Sequence, residues 1–306
     1  MSLLLLHLTS VEQLAQGAAR AGLPGELERA LQEDRPYARF GAVLADLPRC
    51  EGLGALDPRL PVRLRQWRAS AQSPFLRLFH ERAPVQLGLK LAELVASGAL
   101  VGQGAGLALL AGYFAHLCLE RTLAPALAER VVQARREGAN AHEARAHIVR
   151  VQALLYLRES EGLAPGDAAL RERFQVSKSE GLPLRGVGRG IYELVRTASH
   201  EVLQTAPTKA QLDEWVRGLY LRGRLLGSGL GRTYALPAGP HPEARELYRG
   251  PHVDFALEVA RAHELTHVVL GRLWAYMARA SFTPRARQRF LAELPEGGLA
   301  IWAAGF

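Results

Sequence analysis

The sequence predicts an all-α fold, and three observations carry that prediction. Apolar residues recur three and four positions apart through most of the chain, and no stretch of useful length alternates with period two. One run, residues 109–120, is apolar nearly throughout and contains no proline. It reads Leu109-Leu110-Ala111-Gly112-Tyr113-Phe114-Ala115-His116-Leu117-Cys118-Leu119-Glu120, long enough for a helix buried on most sides. Its two side chains with ligand chemistry, His116 and Glu120, stand four apart. That spacing puts both on one helical face, one turn apart, where they can chelate a metal. A carboxylate in an apolar helix costs several kcal/mol unless it is neutralised, by a divalent cation or by an arginine.

The other elements follow in order. Val11, Leu14, Ala15 and Ala18 have helical spacing, with Thr9 or Ser10 as cap and His7 just before it. A second helix over 25–33 follows Pro24 and ends before Arg35 and Pro36. The small apolar run 40–48 ends in Asp46-Leu47-Pro48, where proline forces the chain out of a helix and leaves Asp46 at the exit. Residues 51–74 read as a connecting loop. Residues 73–80, ending in His80, then lead into an amphipathic helix over 85–100. The central helix is expected to stop at Pro125, with further helices over 126–137 and 141–159, the last carrying His142 and His147. Residues 160–190 read as loop, and Gly186-Val187-Gly188-Arg189-Gly190 lacks the spacing and preceding strand of a phosphate loop. Helices resume over 191–204 and, capped by Thr208, over 210–226. Residues 227–251 read as loop, and helices over 255–280 and 283–294 close the chain.

Composition narrows the function classes. With 306 residues and 48% hydrophobic content, the chain can bury a sizeable core. No apolar run reaches the roughly 18 residues of a membrane span; the best, 101–119, is interrupted by Gly102, Gln103, Gly104 and His116. The leading Leu3-Leu4-Leu5-Leu6 lacks the basic lead of a signal peptide and ends at His7, so the expected location is the cytoplasm. Cys50 and Cys118 give no disulfide framework. The net charge of +8 is almost all arginine, since lysine occurs only at Lys90, Lys178 and Lys209. Acidic residues are interspersed with the basic ones, so there is no nucleic-acid signature.

Two metal signals compete. The first is His263-Glu264-Leu265-Thr266-His267 in the last long helix, the HExxH pattern of zinc peptidases. There the two histidines bind zinc from one face and the glutamate polarises water. No third-ligand helix follows it. The second is dispersed: His7, the run Gly41-Ala42-Val43-Leu44-Ala45-Asp46-Leu47-Pro48, His80, the run from Gly112 to Glu120, and His147. In that order they resemble the bacterial zinc-dependent phospholipase C family, over about the first 160 residues. Its most specific parts are GA-x-x-x-D-x-P and GY-x-x-H-x-x-x-acid.

The resemblance implies an all-α bundle shared with single-strand-specific zinc nucleases, comprising residues 1–184, with 185–306 as a helical extension packed on it. It implies zinc, held by His7, Asp46, His80, His116, Glu120 and His147, and Asp46 as the base near the attacking water. It also implies a phospholipid or similar phosphodiester as substrate. Three departures reduce the expected metal content. Glu120 stands where the family has Asp, Leu123-Ala124-Pro125 replaces a His-Pro pair, and Val151 follows His147 where a carboxylate is expected. Arg150 lies beside that last position, and an arginine can stand in for a lost cation. Three functions follow: a phosphodiester hydrolase with fewer metals, a non-catalytic protein on the same scaffold, or a metallopeptidase built on His263, Glu264 and His267.

Overall fold

The computed structural model describes residues 2–52, 73–136, 141–176, 188–231, 254–279 and 282–294. The expected loops 51–74 and 227–251 lie mostly outside the described residues, as do Gly186 and Val187, while Arg189 and Gly190 open a helix. Among the described residues every regular element is helical. These are α1 (Ser2–Gly17), α2 (Gly25–Glu33), α3 (Arg35–Val43), a 3-10 segment (Leu44–Cys50), α4 (Pro74–Glu81) and α5 (Pro84–Ala96). They continue with α6 (Gln103–Arg136), α7 (Ala141–Glu161), α8 (Leu170–Arg173), α9 (Arg189–Leu203), α10 (Lys209–Leu226), α11 (Phe255–Met277) and α12 (Pro284–Ala292).

Local chemistry sets the starts. Proline occupies the first turn of α3, α4, α5 and α12, where a missing N–H costs nothing. Thr208 and Gln211 form a capping box at α10, and Asp254 caps α11. The chain leaves α3 after Val43 and tightens into the 3-10 segment, which contains Pro48. Ala83, at φ 57°, turns the chain between α4 and α5.

Three expectations are corrected. Helix α1 begins at Ser2, so His7 lies inside it and Thr9 and Ser10 are buried interior residues, not caps: the leading leucines, Leu4, Leu5 and Leu6, are themselves core residues. The central helix does not stop at Pro125: α6 runs through it to Arg136, so 126–136 continues α6 rather than starting a new helix. Proline removes one backbone bond, a loss of about 3 kcal/mol. Leu123, Leu127, Val149, Ala153 and Tyr156 bury together across α6 and α7 and offset it. The stretch 160–190 also holds a one-turn helix, α8, anchored by buried Leu170, Phe174 and Val176.

Helix α6 is the axis. It packs on α3 most extensively, then on α11, α2, α5, α7 and α1. The α3–α6 contact is possible because two glycines face backbone: a Cβ on Gly41 would fall on the Leu109 carbonyl, and one on Gly112 on the Ala38 carbonyl. Helix α9 packs on α5, and α10 on the 3-10 segment and α8. Residues from both halves of the chain, including Leu109, Phe114, Trp215 and Leu270, share one core. Residues 103–125 are long and apolar enough to cross a membrane by length and composition, but 83% of their apolar window is buried inside the bundle.

A buried ionic node ties four elements together. Glu12 of α1 pairs with Arg39 of α3 and with Arg173 of α8, and Arg173 also reaches Glu161 of α7 at 2.7 Å.

Candidate metal centre

Five of the six residues expected to ligate metal converge at one end of the α3–α6 contact. His7 comes from α1, Asp46 from the 3-10 segment, His80 from α4, and His116 and Glu120 from successive turns of α6. His7 Nε2 lies 3.2 Å from Glu120 Oε1 and 3.6 Å from Asp46 Oδ2, and His80 Nε2 lies 3.5 Å from Asp46 Oδ1. The His116 ring stands 4.1 Å from that of His7 and 5.5 Å from that of His80, centre to centre. The sixth, His147, is on α7, and its side chain lies outside the described residues.

The glycine contact explains the convergence. Because α3 and α6 touch backbone to backbone, the Ala42 carbonyl accepts a 3.0 Å hydrogen bond from His116 Nδ1. That bond fixes the tautomer and leaves the His116 Nε2 lone pair facing inward. His80 is oriented the same way, its Nδ1 donating to the Leu76 carbonyl at 2.8 Å. Metal-binding histidines are held in this manner, the outer nitrogen donating while the inner one stays free.

Donor atoms of His7, Asp46 and His116 all lie within 4.8 Å of one another. Zinc bonds to nitrogen and oxygen are about 2.0–2.2 Å, so opposed ligands sit no more than ~4.4 Å apart and a small contraction closes the group. Three buried polar atoms in these residues make no hydrogen bond: His116 Nε2, Asp46 Oδ2 and His7 Nδ1. Buried polar atoms are nearly always satisfied, so three on one constellation mark a place where something else is accommodated. The residues present fit a cation of the zinc type, with two imidazoles and a carboxylate as donors.

The electrostatics are those of a charged, water-poor pocket. Burial alone would raise the Asp46 carboxyl, but the Arg49 guanidinium with His80, His7 and His116 holds it well below the usual range. Glu120 likewise comes down to about 2, its burial outweighed by the hydrogen bond from His7. Burial and the neighbouring His7 lower His116 to about 3, so it is neutral at physiological pH. A neutral imidazole beside two ionised carboxylates is the state a metal needs.

Arg49 was not among the expected site residues. Its Nε donates to Asp46 Oδ1 at 2.5 Å. Among the described residues the arginine paired with Asp46 is therefore Arg49, three residues away. Asp46 Oδ1 is thus on Arg49, while Oδ2 makes no hydrogen bond and lies 3.6 Å from His7 Nε2.

The HExxH residues lie elsewhere on α11. His263 Nε2 is 2.8 Å from the Ser10 hydroxyl, Glu264 is exposed, and His267 is partly buried. Burial and the nearby His267 lower His263 to about 4. Among the described residues, the one group of three donors within mutual reach is His7, Asp46 and His116, which does not include the α11 pair. Cys50 and Cys118 are both free and buried. No family model, no curated protein and no solved structure matches this chain.

Proposed function

We propose that this chain is a metal-dependent phosphodiester hydrolase whose cation is held by His7, Asp46 and His116, with Glu120 and His80 beside them. The observation that carries this is that the same three residues each offer a ligand atom within mutual reach and each hold a buried polar atom without a hydrogen bond. A zinc ion bound there would acidify a water and polarise a phosphoryl oxygen. The chain's own residues do the rest. His116 and His80 are locked by backbone carbonyls, Glu120 holds His7 in register, and the surrounding core excludes water. The reading of the approach rests on exposure: the Asp46, His7 and Glu120 side chains are 0%, 1% and 6% exposed, His80 13% and Arg49 35%. Substrate therefore enters past His80 and Arg49. A phospholipid is the phosphodiester that the family resemblance suggests.

A second reading has its own observation. Arg49 already neutralises Asp46, and His7 already pairs with Glu120, so the pocket is largely compensated without a metal. That suits a non-catalytic protein on the same scaffold. Elemental mass spectrometry of protein purified without chelator separates the readings, together with hydrolysis of bis(p-nitrophenyl) phosphate. About one zinc per chain and measurable turnover, both lost in His116→Ala and kept in His263→Ala, is the expected result. Zinc lost only in His263→Ala transfers the function to α11. No zinc after reconstitution leaves the non-catalytic protein.

A further inference from the structure

The carboxylate at the heart of the centre divides its two oxygens. Asp46 Oδ2 is buried, makes no hydrogen bond and lies 3.6 Å from His7 Nε2. Asp46 Oδ1 points the other way, to Arg49 at 2.5 Å, with His80 Nε2 at 3.5 Å. A carboxylate serving two metal ions would offer one oxygen to each. Here the second oxygen is committed to a guanidinium.

Local geometry makes that commitment firm. Asp46 and Arg49 both lie in the 3-10 segment, where residues three apart eclipse each other. The two side chains thus rise from the same side of the segment. The Arg49 backbone is fixed as well, because buried Arg222 of α10 donates Nη2 to the Arg49 carbonyl at 2.6 Å. Yet the guanidinium engages Asp46 through Nε alone. Its two terminal nitrogens make no hydrogen bond among the described residues, and the side chain is 35% exposed. An arginine with its Nε on a buried carboxylate and its terminal nitrogens unengaged among the described residues can grip an oxyanion.

We infer that Arg49 is the second cation of this site: it takes the place of a further metal ion on Asp46, limits the centre to one divalent ion, and binds an oxyanion of the incoming phosphate ester through its terminal nitrogens. The inference rests on the hydrolase reading for its ligand class. It differs from that reading in assigning the extra positive charge to the chain itself. An arginine cannot dissociate or be chelated, so this part of the charge survives metal loss. It also explains how the centre tolerates the missing His-Pro pair and the missing carboxylate after His147.

The test is zinc titration by calorimetry on the metal-free full chain, wild type against Arg49→Gln and Arg49→Lys, followed by titration of inorganic phosphate into each zinc-loaded protein. Circular dichroism checks that all three are folded. If Arg49→Gln is not folded, the Arg49→Lys comparison alone decides, since lysine keeps the charge but loses the planar fork. The expected result is one zinc in the wild type. Arg49→Gln should bind zinc at least tenfold more tightly or take up a further equivalent, and phosphate affinity should fall at least tenfold. Arg49→Lys should keep wild-type zinc affinity and lose most of the phosphate affinity. Zinc affinity and stoichiometry unchanged in Arg49→Gln, or phosphate affinity unchanged in either variant, overturns the inference while leaving a zinc hydrolase intact. No zinc in the wild type but zinc in Arg49→Gln does the reverse: the arginine stands in for the metal, and the hydrolase reading fails. No zinc in either protein removes both.

Discussion

His116 and Glu120 are legible in the sequence because a titratable pair inside an apolar run needs a partner, whatever that partner is. Asp46 is legible as the acidic residue of the small apolar run, although the helix exit expected from Pro48 is not where the chain turns: α3 ends at Val43 and the 3-10 segment runs through Pro48. Arg49 is not legible, since arginine is the commonest charged residue in this chain and nothing marks one of many as buried against a carboxylate. The Ser10–His263 bond joins residues far apart in the chain and leaves no local trace. These imidazoles predict how stability responds to acid. His116 and His263 titrate near 3 and 4 in the folded protein, below the ordinary histidine value of 6.5. The unfolded chain therefore binds more protons than the folded one between those values, and stability falls as pH falls. Urea midpoints of the metal-free protein should drop steadily from pH 7 to pH 4.5, a window above the ordinary carboxylate range. In His263→Gln, which keeps a hydrogen-bonding group near Ser10, the slope should be shallower. A midpoint that is flat over this window would show that neither imidazole is buried in neutral form.

At the scale of elements, periodicity placed most helices within a few residues, because amphipathic faces and caps act locally. It misplaced the end of α6, because the compensation for Pro125 lies in α7 and not in neighbouring residues. The glycines of the two sequence runs also show their purpose only in the fold. Gly41 and Gly112 are where α3 and α6 touch, and that contact delivers the Ala42 carbonyl to His116. Gly112→Ala should force the helices apart. A loss of about 1–3 kcal/mol is expected from overpacking alone, read as a lower thermal midpoint. Zinc affinity should fall along with it, even though no ligand has changed. A variant destabilised by this amount with unaltered zinc binding would uncouple the helix contact from the site.

At the scale of the whole molecule, an all-α architecture was readable from the lack of period-two alternation, while the assembly of its helices was not. The node at Glu12 shows why, since its partners Arg39 and Arg173 come from distant segments and could equally be surface charges by sequence. Glu12→Ala leaves Arg39 without its buried carboxylate, while Arg173 keeps Glu161, and should cost about 3–5 kcal/mol. Reversible urea unfolding measures this, and a change under 1 kcal/mol would mean that the node is dispensable.

The hydrogen bond from Arg222 to the Arg49 carbonyl reaches from α10 into the segment that carries Asp46. Every expected ligand lies before residue 160, so by sequence the last third looks like an accessory that could be trimmed or exchanged. The bond denies that modularity. A chain cut before α9 would keep the ligands of the first 160 residues and lose the helix that anchors the segment carrying Asp46.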